Sequence, residues 1–257
     1  MKQFTSILIL FLMCACLQAA PSNVVAVSGC NAYPPYSFSA MRDGKPVPSG
    51  MDTEIVDAVF TRMQRKIQLQ LVPSRNLIRC KPCSYEWPRD VPSPQPREEW
   101  RLRTPSVVFA TRKDGALTKW GNLDDLKSCN IGVIAGYTYD NCGPFWQAKK
   151  LKKTEFFSGE ELLAALKDGK VDLVVGEQCA LVWYAKKTGM QDQLRILPKP
   201  LYEEGQYMSF TDLDKNAQLI ADFQQALAEF KKTEAYAAIL KKWETGDYEL
   251  PVIETPN

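Results

Sequence analysis

The sequence predicts an α/β protein of two lobes joined by two strand-like connections. Three observations lead there. An amphipathic helix over Asp52–Met63 stands between two short apolar segments, Asn23–Ser28 and Ile67–Val72, which is how a parallel sheet opens. A complete alternation of strands and helices fills roughly 115–200. The tail from Leu219 onward is helical with no strand of its own, so it returns to cover the first lobe.

Composition bounds the rest. A chain of 257 residues makes one large domain or two modest ones. The net charge of +2 comes from dispersed Lys and Arg, which argues against a nucleic-acid partner. There is no histidine, which removes the commonest general base and metal ligand. No cofactor or metal is expected.

Taken in order, residues 1–20 read as an export signal: Lys2, the apolar run Ile7–Cys16, then Ala19 and Ala20. Cleavage there implies a periplasmic protein; a lipid anchor at Cys16 is the alternative. Six cysteines then remain, Cys30, Cys80, Cys83, Cys129, Cys142 and Cys179. Their fifteen pairings cannot be distinguished by sequence. After the first strand comes Tyr33-Pro-Pro-Tyr36-Ser-Phe38, three aromatics on a loop stiffened by prolines. Rings there form either a shelf for a ligand or a plug for the core. Ile55, Val56, Val59, Phe60 and Met63 share one face of the next helix. Ile67, Leu69 and Leu71 alternate with glutamines as a strand does.

Val107–Thr111 is a strand and Arg112–Gly115 a turn. Ile131–Ala135 is a buried strand ending at Gly136, and Tyr139–Lys150 contains a helix. Glu155–Phe157 is a short strand. Ser158 and Glu161 form a capping box for a helix closed by Gly169. Val171–Val175, the helix Gln178–Lys187 and Leu194–Leu197 follow, and Thr233 caps the last helix. The connections between lobes fall near Val107–Thr111 and Lys199–Met208. Lobe 1 is then 21–111 with 201–257, and lobe 2 is 112–200.

Several motifs occur in an order that resembles the bacterial periplasmic solute-binding proteins of the polar-amino-acid class (family 3). They are Tyr33-Pro-Pro-Tyr36, Gly50-Met-Asp52, Arg97-Glu-Glu-Trp100 with Thr104-Pro105, Ile131-Gly-Val-Ile-Ala-Gly136, Gly169-Lys-Val-Asp172 with Glu177, and the tail Leu219–Trp243. The resemblance implies the type II two-lobed fold, a small-molecule ligand such as an amino acid, an ABC permease as partner, and a monomer. It implies that Tyr36 is an aromatic lid, Arg97 grips a ligand carboxylate, Thr138 binds that carboxylate at a helix start, and Glu177 takes the ammonium. The chemistry is compatible: Arg presents a planar fork to a carboxylate, and a helix N-terminus offers unpaired N–H groups. On the residues alone, Arg97 beside Glu98 and Glu99 reads as a surface ion pair, Glu177 as a helix-start acid and Thr138 as a turn residue.

One stretch departs from the family. Lys81–Pro96 holds five prolines and neither glycine nor an apolar run, where the family has a helix and a buried strand. It reads as a family-specific loop, a shifted reading frame restored just before Arg97, or a Cys80-x-x-Cys83 metal or redox site. Family-like sequence resumes abruptly on both sides, which favours the shifted frame. A dehydratase-like enzyme or a sensor module on the same two-lobed fold are the rival functions. The missing histidine and the lack of an acid–base pair weigh against the enzyme. A sensor would continue into a membrane helix.

Overall fold

The structure, a computed structural model, describes residues 24–72, 97–137, 151–210 and 212–253. The export signal, the prolines of 81–96, Cys80, Cys83, Cys142, Thr138 and the helix expected within Tyr139–Lys150 lie outside the described residues.

Strand β1 (Val24–Cys30) is followed by three short antiparallel strands, β2 (Ala32–Tyr33), β3 (Ser37–Arg42) and β4 (Lys45–Ser49). Helix α1 (Met51–Arg62) then leads to β5 (Lys66–Val72), which pairs in parallel with β1 as the sequence predicts. The β3–β4 hairpin was not predicted. Strand β4 carries Pro46 and Pro48, which mask the strand pattern, yet an edge strand tolerates them. Gly50 joins this hairpin to α1 at φ +119°, and a Cβ there would sit 2.4 Å from the Tyr36 carbonyl oxygen. Only glycine fits that approach. In return, the Met51 and Asp52 N–H groups donate to the carbonyls of Pro35 and Tyr36, both at 2.9 Å. The aromatic loop is thereby fastened to the start of α1.

A short 3-10 turn, Glu98–Trp100, opens β6 (Arg101–Arg103), and β7 (Ser106–Arg112) follows. Next come β8 (Asn130–Ile134), β9 (Lys152–Phe156), α2 (Gly159–Lys167), β10 (Leu173–Glu177), α3 (Gln178–Lys187), β11 (Leu194–Glu203) and β12 (Gln206–Tyr207). Five of these strands form one sheet in the order β11-β7-β10-β8-β9. Its central strands β7, β10 and β8 are largely apolar because both faces are covered, whereas the edge strand β9, Lys-Lys-Thr-Glu-Phe, is mostly polar. Val107 and Phe109 join Leu173 and Val175 on one face, while Val108, Ala110 and Val174 pack against α2 and α3 on the other. The Ser158 hydroxyl caps α2 by accepting from the Glu161 N–H at 3.1 Å. Glu161 reaches back to the Phe157 N–H rather than to that of Ser158, so the expected capping box is completed one residue earlier.

The strand predicted at 171–175 runs instead from Leu173 to Glu177, and the one predicted at 194–197 extends to Glu203. Pro198 and Pro200 are absorbed in β11 because it is the edge strand, with its register shifting around Pro200. The crossings between the five-stranded sheet and the rest are short. Thr104-Pro105 links β6 to β7, and Glu204-Gly205 links β11 to β12. They run side by side, with the Glu204 N–H donating to the Pro105 carbonyl at 3.2 Å, and β6 pairs with β12.

Helices α4 (Ala217–Phe230) and α5 (Glu234–Thr245) complete the chain. Their side chains Phe223, Leu227, Phe230 and Trp243 pack with Ile55, Val59 and Phe60 of α1 and Phe38 of β3. Each such buried side chain contributes roughly 1.5–3 kcal/mol. Helix α3 has two buried faces. Leu181 and Ala185 face the five-stranded sheet. Cys179 and Trp183, offset by half a turn, enter the core built by α1, β3, α4 and α5. No helix among the described residues is long and apolar enough to cross a membrane.

Candidate functional site

Where the two crossings meet the aromatic loop, charged groups converge in a buried place. Arg103 ends β6 with its side chain 3% exposed. Its Nε donates to Asp52 Oδ1 at 2.5 Å and its Nη2 to Asp52 Oδ2 at 3.2 Å, a fork on the carboxylate presented by the first turn of α1. The guanidinium carbon lies 3.9 Å from the centre of the Tyr36 ring, close enough for cation–π attraction. Glu177, the last residue of β10, comes from the opposite side. Its Oε1 accepts from the Tyr33 hydroxyl at 3.0 Å, and its Oε2 stands 3.7 Å from Arg103 Nη1. Tyr33 and Tyr36 lie with ring centres 5.1 Å apart.

Three polar atoms in this cluster are buried with no hydrogen-bond partner: Arg103 Nη1, Glu177 Oε2 and the Tyr36 hydroxyl. They comprise a donor, an acceptor and a group that is both. An unmade buried hydrogen bond costs about 1–3 kcal/mol. The cluster therefore offers a small polar molecule what the protein itself leaves unsatisfied.

The electrostatics favour a charged guanidinium. Burial opposes the charge on Arg103, but the charge and hydrogen bonds of Asp52 outweigh it, and its pKa is held above the ordinary value. Burial pushes the Tyr33 and Tyr36 hydroxyls well above their ordinary 10.0, and the charge of Glu177 adds to it. Burial likewise pushes the nearby Cys179 thiol up to about 12.

No protein-family model and no curated protein matches the sequence. Solved structures do match. One is substrate-binding domain 2 of GlnP from Lactococcus lactis in its open conformation, with a TM-score of 0.62 at 18% identity, covering 87% of this chain and 97% of that one. Another is an ancestral cationic amino-acid solute-binding protein, with a TM-score of 0.61 at 18% identity, covering 86% and 95%. This chain has a substrate-binding-protein fold. A third match is a histidine kinase sensor domain with similarity to periplasmic binding proteins, with a TM-score of 0.54 at 19% identity, covering 86% and 95%.

Within that substrate-binding-protein fold, the four residues singled out by sequence fall in different places. Tyr36 and Glu177 both reach the buried cluster, through Arg103. Arg97 is exposed just ahead of β6, its guanidinium 4.9 Å from the centre of the Trp100 ring. Glu98 pairs with Arg101. Thr138 lies outside the described residues. Arg103 and Asp52, the most closely hydrogen-bonded charge pair of the cluster, were not singled out. Asp52 stood in the sequence only as the first residue of the predicted helix, in the Gly50-Met-Asp52 motif. Nothing in Arg-Leu-Arg at 101–103 marks its second arginine as buried, since the partner is 51 residues away.

A cavity of about 480 Å³ opens elsewhere, between the β3–β4 hairpin, α1, β5 and the end of α5. None of Tyr33, Tyr36, Arg103 or Glu177 lines it. Its Glu54 carboxylate is already held by Lys242 at 2.5 and 2.6 Å, so those two charges neutralise each other.

The raised thiol and phenol pKa values give a pH dependence. The unfolded chain releases the Cys179 proton near the ordinary 9.0, whereas the folded protein keeps it up to about 12. This contribution is complete below pH 9 and is lost as pH rises toward 12. Each such group steepens the fall by about 1.4 kcal/mol per pH unit. Urea unfolding between pH 9 and 10.5 is expected to show a shallower fall for Cys179→Ser than for the wild type; equal slopes would contradict it.

Proposed function

We propose that the chain is an exported, non-catalytic receptor that binds a small polar solute, an amino acid or a close relative, between two closing lobes and presents it to an ABC importer. The observation that carries this reading is the buried trio of unpartnered polar atoms on Arg103, Glu177 and Tyr36. The fold supports it, being shared with the substrate-binding domain of GlnP and with ancestral proteins solved with arginine or glutamine bound. In this proposal residues 1–20 direct export to the periplasm. The lobes divide at the paired crossings, Thr104-Pro105 and Glu204-Gly205, so that β7 and all of β11 go with the second lobe, beyond the 112–200 expected from sequence. Tyr36 covers the ligand, Glu177 takes its cationic group, and Arg97 and Thr138 hold its carboxylate. Micromolar affinity needs about 8 kcal/mol. Two charge-assisted contacts supply roughly 1.5–3 kcal/mol each, so ring contacts and lobe closure must provide the remainder.

The test is a thermal-shift screen of the twenty amino acids, L-arginine and L-glutamine first. A binder at one hundred times its dissociation constant stabilises the protein by about 2.7 kcal/mol, a shift of several degrees. Arg97→Ala is expected to raise the dissociation constant at least tenfold. An unchanged constant would remove Arg97 from the site, and no shift with any amino acid would remove the receptor reading. The sensor-domain match favours a second reading, detection of the same class of solute for signalling. Association with a permease rather than a kinase in a pull-down separates the two.

A further inference from the structure

The Arg103–Glu177 contact is incomplete in a specific way. At 3.7 Å, Nη1 and Oε2 attract as charges but are too far apart for a hydrogen bond. Neither atom has another partner. Arg103 cannot readily swing closer, because its other two nitrogens are forked on Asp52 and its face rests on Tyr36. Glu177 is pinned as well, through Tyr33 on its second oxygen. The site thus holds a fixed internal cation facing the carboxylate that a ligand's cationic group would use.

A cation bonded to Glu177 Oε2 at about 2.8 Å lies no more than about 6.5 Å from Arg103 Nη1 in this arrangement. A buried pair of like charges at that distance repels strongly, because little water screens it. The same Nη1 has unpaired N–H donors that a carboxylate would accept. We propose that Arg103 determines which solutes the site admits: it selects a zwitterion, whose carboxylate lies beside its cationic group, and rejects the corresponding bare amine. This rests on the receptor reading above. It assigns Arg103 a role separate from that of Arg97, which is exposed over Trp100.

The experiment is isothermal titration of the full chain with two pairs of probes, L-arginine against agmatine and L-glutamine against 4-aminobutanamide. The wild type is expected to prefer the amino acid by at least one hundredfold. In the double variant Arg103→Met with Asp52→Asn, which removes the cation without stranding the carboxylate, the preference is expected to fall below tenfold. The amine should then bind at least threefold more tightly than it binds the wild type. Should that variant fail to fold, Arg103→Gln with Asp52→Asn keeps a hydrogen-bonding side chain and makes the same prediction. A gain in amine binding is the diagnostic sign, since damage to the site would weaken every ligand. A preference that stays above one hundredfold overturns the assignment to Arg103 and leaves the receptor reading standing. Failure of the wild type to bind any of the twenty amino acids overturns the receptor reading, and this inference with it.

Discussion

Trp183→Ala is expected to lower the unfolding free energy by about 3–5 kcal/mol, the range for truncating a buried aromatic to alanine. The side chain is fully buried. It packs against Phe38 at 5.1 Å and Tyr248 at 5.6 Å between ring centres, with Trp243 at 6.3 Å. It belongs to α3, whose other face lies on the five-stranded sheet, so the indole ties that sheet to the core of α1, β3, α4 and α5. Loss of the ring therefore loosens a junction between two packed bodies as well as opening a void. Trp183→Phe supplies the control. The indole Nε1 is buried without a partner, so its removal relieves an unsatisfied donor while some volume is lost. The two effects oppose each other, and a change within about 1.5 kcal/mol is expected. Urea unfolding followed by circular dichroism measures both. An alanine variant as stable as the wild type would mean that α3 does not bury Trp183 in that core.

Arg103→Met alone is expected to cost about 3–5 kcal/mol, because it leaves the Asp52 carboxylate buried without its partner. Asp52 is 2% exposed, so water cannot replace the guanidinium. The burial of both groups makes the effect non-additive. Adding Asp52→Asn to Arg103→Met is expected to recover most of the loss, since an uncharged amide tolerates the site far better than a lone carboxylate. Strict addition of the two single losses would mean that the side chains do not form a pair. Stability and selectivity are thereby separable. The double variant, stable enough to titrate, is the one that reads out the role of Arg103 toward ligands.

Periodicity made most of the local structure legible. The stripe of Ile55, Val56, Val59 and Phe60 marked α1, and the helix predicted at Gln178–Lys187 has those bounds in the structure. Thr233 was readable as a cap because a hydroxyl ahead of an amphipathic run accepts from the N–H three residues on, and it does so from Tyr236 at 3.3 Å. The β3–β4 hairpin was not legible, because Pro46 and Pro48 suppress the strand signal on an edge. For the candidate site, Tyr36 and Glu177 were found through the resemblance of their motifs; on the residues alone the rings were shelf or plug and Glu177 a helix-start acid. Arg103 could not be found, because a basic residue in an alternating Arg-Leu-Arg strand reads as the solvated face.

By itself the sequence determined the α/β alternation, the parallel pairing of the first two long strands and the return of helical tail to cover them. These follow from apolar spacing, which local chain geometry alone converts into helices and strands. Only the tertiary structure decided which charges are buried together. Asp52, Arg103 and Glu177 come from the start of α1, the end of β6 and the end of β10, and no local pattern couples them. They meet because Gly50 lets the aromatic loop fasten onto α1, while the paired crossings at Thr104-Pro105 and Glu204-Gly205 set the five-stranded sheet against it. The ionisation and hydrogen-bonding needs of a buried charge depend on the groups folded around it, and that is information the order of residues carries only through the complete fold.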